Sequence, residues 1–364
     1  MKFKKKKILI ILPDNPFNPF GGLGVLLNNL LKFLKREYKI NFGIVNFDLS
    51  SRFIASDIEI NALFTLFDVL DFFVAKKEKF KKYDLIWLFD SSMVSLALFV
   101  KKHLDKKVLV SYQLPLVPFA FATGFLNYYV HFMAQLELSM LNYVDYMTFV
   151  SKFDSVFYNH PCKFVIPNGI DLDEYKIVFE KYEHLRERGR ILYIGRATLQ
   201  KNLISLINSE IPEGVKLVFV ISYQGNDSYV VDELRKFAEA NKDKVELKGH
   251  LRGLEKMIEF ARADAVIYPS IYEPFGITAL EGLATKRIVI SSRQTGMGEW
   301  LSSDACIDCG ITPQSISEAL VKYVNLNEKE REELINNGYN LAQNYSIEKI
   351  AKKYIEMLNL ILEN

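Results

Sequence analysis

Short aliphatic runs alternate with longer amphipathic stretches along the 364-residue chain, and the alternation happens twice. This rhythm limits the fold more than any other feature. Continuous apolar runs bounded by charge or proline read as parallel strands buried on both faces, with helices fitted between them. In the first half the runs are 8–12, 40–47, 84–89, 107–112 and 146–150. Between the first two, 24–36 has helical spacing, with Val25, Leu26, Leu30, Leu31 and Leu34 apolar. The segment 165–171, VIPNGID, joins proline, asparagine and glycine in a turn signal, and a charged stretch follows over 174–190. The rhythm then restarts, with runs at 190–194, 216–221, 244–248, 265–268 and 287–291. The pattern predicts an α/β protein of two Rossmann-like, doubly wound parallel-sheet domains, hinged near 167–188. Residues 346–362 predict a final helix with Ser346 as N-cap and a stripe of Ile350, Tyr354, Met357, Leu358 and Ile361. That helix packs either on the second domain or back on the first.

Composition excludes several classes. Hydrophobic residues at 49% and charged residues at 25% are those of a globular chain, not a disordered one. The formal net charge of +2 lacks the surplus of a protein that lives on nucleic acid. Residues 1–165 hold 21 basic and 14 acidic side chains, a net +7; residues 166–364 hold 25 and 30, a net −5. A basic first half suits an anionic substrate or membrane surface, or is simply a set of solvated faces. Three cysteines make no disulfide framework and predict a reducing, cytoplasmic setting. Cys306 and Cys309 form a lone C-x-x-C without a second pair, read as core cysteines rather than a metal site. No run reaches the ~18 apolar residues of a membrane span. The lysines at 4–7 before 8–12 imitate a signal peptide, but the apolar run is short and Pro13, Asp14 and Asn15 follow it.

Three places carry chemistry. The first is Phe20-Gly21-Gly22-Leu23-Gly24, after the first strand, where glycines admit a close ligand and a helix N-terminus offers N–H groups to phosphate. Alone, this G-G-x-G is equally a tight turn, and Asp48 after the second strand keeps a nicotinamide-site reading open. The second is Gly195-Arg196 with Lys201-Asn202, whose two cations, five residues apart across a strand-to-helix turn, can converge on one diphosphate. Two solvated cations are the plain alternative. The third is the string at 268–282, YPSIYEPFGITALEG. A strand there leads to a loop holding Glu273 and to a helix starting near Gly276. Glu281 lies about two turns on among Ile277, Ala279, Leu280 and Leu283, where a carboxylate needs partners. Sugar hydroxyls would serve, since they donate. The plain reading has Glu281 complementing the helix dipole and Glu273 capping the helix.

The spacing Glu273-x7-Glu281 inside that string resembles the E-x7-E signature of retaining glycosyltransferases of the GT-B fold, family 4, which includes glycogen and starch synthases. The glycines 21, 22 and 24 resemble its N-terminal glycine loop, 167–171 its hinge, and Gly195-Arg196 with Lys201-Asn202 its diphosphate clamp. Thr295-Gly296-Met297-Gly298-Glu299 resembles its T-G-G-x-x-E loop, with Met297 in place of one glycine. The resemblance runs from the first strand to the last helix. It implies an N-terminal acceptor domain over 1–167, joined by the C-terminal helix at 346–364 crossing back to it, and a nucleotide-sugar domain over 168–345, with a cleft between them. In the place of the family's sugar-contacting histidine stands Gln113, which can hydrogen-bond a hydroxyl and cannot titrate.

By that resemblance the chain is a hexosyltransferase. It moves a sugar with retention from a UDP-, ADP- or GDP-linked donor to a glucan, sugar or lipid-linked acceptor, without cofactor or metal. Glu281 would accept from the ribose. Arg196 and Lys201 would neutralise the diphosphate, beneath Gly21, Gly22 and Gly24. Glu273 and the N–H groups of Phe275, Gly276 and Ile277 would hold the sugar, with Thr295 and Gly296 beside them. Gly249 and His250 would lie near the base. The departing phosphate would take the acceptor proton on the front face. The aromatic stretches 15–20 and 114–129, read together with the lysines at 76–82, are candidates for acceptor stacking or for peripheral contact with the inner face of a membrane. The rival readings are a GT-B-fold epimerase or phosphorylase, a nicotinamide dehydrogenase, and a non-catalytic nucleotide-sugar binder.

Overall fold

The computed structural model describes residues 5–12, 22–44, 52–55, 58–61, 77–123, 128–222 and 226–363. It divides into two compact units, Met1–Gly169 with Ile347–Asn364, and Ile170–Ser346.

The first unit is built on a six-stranded parallel sheet in the order β2-β1-β5-β6-β7-β8. Its strands are β1 (Lys7–Leu12), β2 (Lys39–Ile44), β5 (Leu85–Leu88), β6 (Lys107–Tyr112), β7 (Tyr146–Phe149) and β8 (Lys163–Val165). The short β3 (Arg52–Ala55) and β4 (Ile58–Asn61) pair antiparallel beside it. The core strands are aliphatic on both faces because helices cover both faces, and Ile8, Ile10, Trp87, Leu109 and Val110 are fully buried. The three-residue β8, with two of its residues exposed, is too short and polar to read from periodicity.

The predicted final helix is observed at Ile347–Glu363 and packs in the first unit. Ile350, Tyr354, Met357, Leu358 and Ile361 are its buried stripe. Its residues Ile355 and Asn359 accept the Tyr38 hydroxyl at 3.3 and 2.7 Å, and Lys107 donates to the Ile361 carbonyl at 2.7 Å. Of the two docking options, the apolar stripe therefore takes the first domain.

One grouping made from the sequence does not survive. Lys77, Lys79, Lys81 and Lys82 precede β5, at the N-terminal edge of the sheet. The aromatic helices Leu116–Thr123 and Tyr128–Ser139 follow the C-terminal end of β6. In a parallel sheet those are opposite edges, so the lysines and the aromatic helices do not form one surface. Lys76 and residues 15–20 lie outside the described residues, as does Asp48.

The second unit repeats the plan, with the order β11-β10-β9-β12-β13-β14. The strands are β9 (Arg190–Gly195), β10 (Lys216–Ile221), β11 (Val245–Lys248), β12 (Ala265–Tyr268), β13 (Ile288–Ser291) and β14 (Ile307–Asp308). All pair in parallel. Much of the stretch expected to be hinge is helix in this unit: Leu172–Lys181 buries Tyr175 and Val178, a period of three that the many charges around it obscure.

Beneath the second sheet, at its N-terminal edge, Asp264 is an electrostatic hub. It is 1% exposed, yet Arg186 donates to it at 2.9 Å, the Gly189 N–H at 3.2 Å, and Tyr323 and Arg331 hydrogen-bond to it as well. Burial alone would raise its pKa. The Tyr323 hydroxyl and the Arg186 and Arg331 cations outweigh burial and hold the carboxyl below its ordinary value.

Candidate functional site

In the second sheet the chain-order sequence runs 3-2-1-4-5-6, and the direction of strand addition reverses between β9 and β12. Those strands are in register at Ala265↔Ile191 and Val266↔Leu192. β9 then runs on to Gly195 and β12 to Tyr268, and the loops that follow leave in opposite senses. Such a switch point opens a crevice at the carboxyl ends of the strands. The Arg196–Lys201 loop and the Glu273 loop are the two that border it.

Backbone bonds staple the two loops together. After β9, Lys201 closes a short 3-10 turn and Asn202 is left-handed, with φ of 58°. Asparagine tolerates this conformation, and its amide donates to the Pro269 carbonyl at 3.0 Å and the Ile311 carbonyl at 2.7 Å. The Ile271 N–H donates to the Gln200 carbonyl at 2.8 Å. Lys201 is thereby carried to Glu273, and the two form a largely buried ion pair, with side chains 14% and 13% exposed. Arg196 is half-buried; its carbonyl accepts the Tyr193 hydroxyl at 2.5 Å. Burial, then the Glu273 charge, raise the Tyr193 phenol well above its ordinary value, with the Arg196 cation acting against them.

A third loop positions Glu273. The Thr295 hydroxyl accepts the Glu273 N–H at 2.9 Å and donates to the Glu273 carbonyl at 3.0 Å, and the Met297 N–H reaches the same carbonyl at 3.1 Å. Gly276 then turns the chain into the helix Ile277–Ala284 with φ of 83°; a Cβ there would stand 2.6 Å from Met297 Sδ. The residue replacing the resembled family's glycine thus packs directly on the turn. Phe275 is an anchor: it is 2% exposed and stacks on Trp300 at 5.0 Å, and the Trp300 indole N–H donates to its carbonyl at 2.6 Å. Gly296 precedes the short helix Met297–Trp300. Gly276 caps Ile277–Ala284 without a side-chain bond, so Glu273 is not the helix cap. The first N–H groups of that helix, Ile277 included, have no acceptor within the helix.

Glu281 sits deeper, 4% exposed. One oxygen, Oε1, accepts from the Tyr175 hydroxyl at 2.6 Å and from Lys256 Nζ at 2.7 Å. Its other oxygen is buried and makes no hydrogen bond; nor do the buried hydroxyls of Thr198 and Ser270, in the two loops that border the crevice. Buried polar atoms without partners are rare in folded proteins. Burial, then the Glu281 charge, push the Tyr268 phenol well above its ordinary value against Thr278, with Tyr193 and Glu273 adding smaller pushes. Lys201 and Glu273 are in contact, Glu273 and Arg196 both act on the Tyr193 phenol, and Glu273 and Glu281 both act on that of Tyr268.

Other expected residues stand at the margin. His250 follows β11, and its Nε2 accepts from Arg252 Nε at 2.8 Å; burial, Arg252 and Lys256 lower its pKa. A Cβ on Gly249 would meet nothing within 4 Å, so packing does not demand glycine there. In the first unit Gln113 follows β6, half-buried beside the Tyr354 hydroxyl of the final helix. Gly22 and Gly24 are in the first turn of the helix Gly22–Glu37 rather than in a preceding loop, and Gly21 lies outside the described residues. Sequence reasoning missed Tyr175 and Lys256. Neither stands in a recognisable pattern, and they are 106 and 25 positions from the glutamate they hold. Among the described residues no cluster of three His, Cys, Asp or Glu is placed to hold a metal ion.

Residues 175–341 match the family described as Glycosyl transferases group 1. The second unit carries a glycosyltransferase group 1 domain. The site just described falls within this domain, from Tyr175 to Gly298. Over 218 residues the chain is 30% identical to an uncharacterized glycosyltransferase of Methanocaldococcus jannaschii, covering 55% of this chain and 54% of that one. Over 196 residues it is 28% identical to a processive diacylglycerol alpha-glucosyltransferase of Acholeplasma laidlawii, covering 51% and 57%. The chain thus spans about half the length of the curated relatives it matches. In structure it is similar to the sucrose-phosphate synthase of Thermosynechococcus elongatus, with a TM-score of 0.82 at 17% identity, covering 99% of this chain and 100% of that one. Anabaena HepE, solved in complex with UDP and glucose, gives a TM-score of 0.72 at 14% identity, covering 98% and 100%. The two parallel six-stranded sheets with flanking helices are those of the GT-B fold.

Proposed function

We propose that the protein is a retaining hexosyltransferase of family 4. It takes a hexose from a UDP-, ADP- or GDP-linked donor and passes it to a glucan, sugar or lipid-linked acceptor. The observation that carries this reading is the Lys201–Glu273 ion pair at the switch point. A cation for phosphate and an acceptor for hydroxyls are adjacent and largely buried, as a sugar joined to a diphosphate requires. The presence of UDP and glucose in the related fold of HepE supports the same donor class.

In this reading Lys201 and Arg196 carry the leaving diphosphate, with Arg196 offering a planar fork and Lys201 a point charge. Once phosphate claims Lys201, Glu273 is released to accept from the sugar, assisted by the N–H groups of Phe275, Gly276 and Ile277, with Thr295 and Gly296 holding the loop. Glu281 accepts from the ribose, near Gly249 and His250. The sugar–phosphate bond breaks, the new glycosidic bond forms on the same face, and the departing phosphate oxygen takes the acceptor hydroxyl proton. The unit of residues 1–169 and 347–364 is the one we assign to the acceptor. Phe121 and Phe132, 74% and 66% exposed on the aromatic helices, favour an acceptor with an apolar part or a membrane-borne one. A cytoplasmic setting fits the three free cysteines. No described helix is long and apolar enough to cross a membrane.

The test is a screen of UDP-, ADP- and GDP-linked sugars for diphosphate release, with and without glucan or lipid extract, followed by the anomeric configuration of the product. Release that depends on acceptor, with retention, is expected. Tight nucleotide binding without turnover would favour a non-catalytic binder, and NAD binding in place of these nucleotides would favour the dehydrogenase.

A further inference from the structure

We propose that Lys256 and Tyr175 are positioning residues that orient Glu281 toward the nucleotide half of the donor, and that they set how tightly that half is held. The proposal rests on the donor reading above. Both residues donate to the same oxygen, Oε1, at 2.7 and 2.6 Å. A carboxylate on a free side chain rotates about its last bond and presents either oxygen. Two donors on one oxygen remove that freedom and leave Oε2 as the only acceptor still to be used. The three residues come from three helices, Leu172–Lys181, Gly253–Arg262 and Ile277–Ala284, so the plane of the carboxylate is tied to the packing of the unit.

The two donors are not equivalent. Tyr175 is buried, and burial followed by the Glu281 charge raises its phenol far above the ordinary range. It remains a proton donor across the working pH range and acts as a fixed strut. Lys256 is 23% exposed along its side chain and supplies the charge that balances a buried carboxylate. The Lys256 charge also acts on His250, after burial and Arg252, and Arg252 donates to His250 Nε2 at 2.8 Å.

Calorimetry on the full chain with UDP, ADP and GDP tests this, using wild type, Lys256→Met, Lys256→Arg, Tyr175→Phe, Glu281→Gln and the double variant Lys256→Met with Glu281→Gln. For the nucleotide that wild type binds best, Lys256→Met and Tyr175→Phe should each lose on the order of 10-fold in affinity, the scale of one hydrogen bond to a charged group. Lys256→Arg should recover most of that loss. In the Glu281→Gln background the Lys256→Met loss should shrink to about 2-fold or less, because coupling through a shared partner is non-additive. In turnover the loss should fall on KM more than on kcat. Lys256→Met lies at a partly exposed position, so it carries the test where Tyr175→Phe fails to fold. If Glu281→Gln binds weakly while Lys256→Met binds like wild type, the positioning proposal is overturned and the donor reading stands. Equal losses in both backgrounds would also overturn it, since Lys256 would then act independently of Glu281. A Glu281→Gln variant with wild-type nucleotide affinity would sink the donor reading itself.

Discussion

Lys201 and Glu273, 72 positions apart in the chain, meet as a largely buried ion pair at the carboxyl ends of β9 and β12. Each neutralises the other before any donor arrives. A diphosphate would exchange one anion for another at Lys201 and leave Glu273 to hydroxyls, so the pair stores the site in a charge-balanced form.

Removing either end of the donor grip should be costly to turnover. Lys201→Ala is expected to lower transfer at saturating donor by ~10²-fold or more, the usual scale for losing one electrostatic partner of a transition state. Glu281→Ala should act chiefly by raising KM for the donor. Initial rates across donor concentrations check both, and near-normal kcat/KM in both variants would place the chemistry elsewhere.

Gly276→Ala should destabilise the second unit. Its φ of 83° is strained for any residue with a Cβ, and that Cβ would press on Met297 Sδ at 2.6 Å. The methionine end can shift, whereas the backbone strain remains at about 1–2 kcal/mol. Urea denaturation should show a lower midpoint than wild type.

The Asp264 hub predicts sensitivity to acid. Its folded pKa is below its ordinary value of 3.8, so its stabilisation is complete above that pH and is lost as pH falls through the folded value. Asp264→Ala removes the partner of Arg331, itself 2% exposed, and should cost about 3–5 kcal/mol at neutral pH. In the variant, the loss of stability on acidification below about pH 4 should be shallower than in wild type, as measured by denaturation midpoints across pH.

Glu137 predicts the opposite dependence in the first unit. It is fully buried; burial, with a smaller push from Asp90, raises its pKa to about 8 against the bonds from Tyr158 and the Leu116 N–H. A folded pKa above the unfolded 4.5 means the folded state holds the extra proton, so stability falls as pH climbs between the two values. Glu137→Gln keeps a neutral hydrogen-bonding group and should flatten that fall. The comparison to make is the urea midpoint of variant and wild type at pH 6 and 9, and an unchanged difference would contradict the assignment.

Much of the architecture was legible before any coordinates. Runs such as 107–112, 216–221 and 265–268 coincide with the observed strands, because a strand buried on both faces must be apolar throughout and its ends must be polar or turning. The hairpin of β3 and β4 and the short β8 and β14 escaped notice, being too brief for periodicity to register. Helix Leu172–Lys181 was hidden by its own charges, of which only the face bearing Tyr175 and Val178 is buried.

What the linear chain determined by itself was local: where strands run, where glycine and asparagine turn the backbone, and that Arg196, Lys201, Glu273 and Glu281 follow strand ends. Those properties depend on neighbours a few residues away. What only the tertiary structure decided was which groups answer one another across distance. The pairing of Lys201 with Glu273, the hold of Tyr175 and Lys256 on a single oxygen of Glu281, and the docking of the last helix on the first unit all depend on strand order and helix packing. A buried charge is stable only with a partner, and the partner is found in space rather than along the chain.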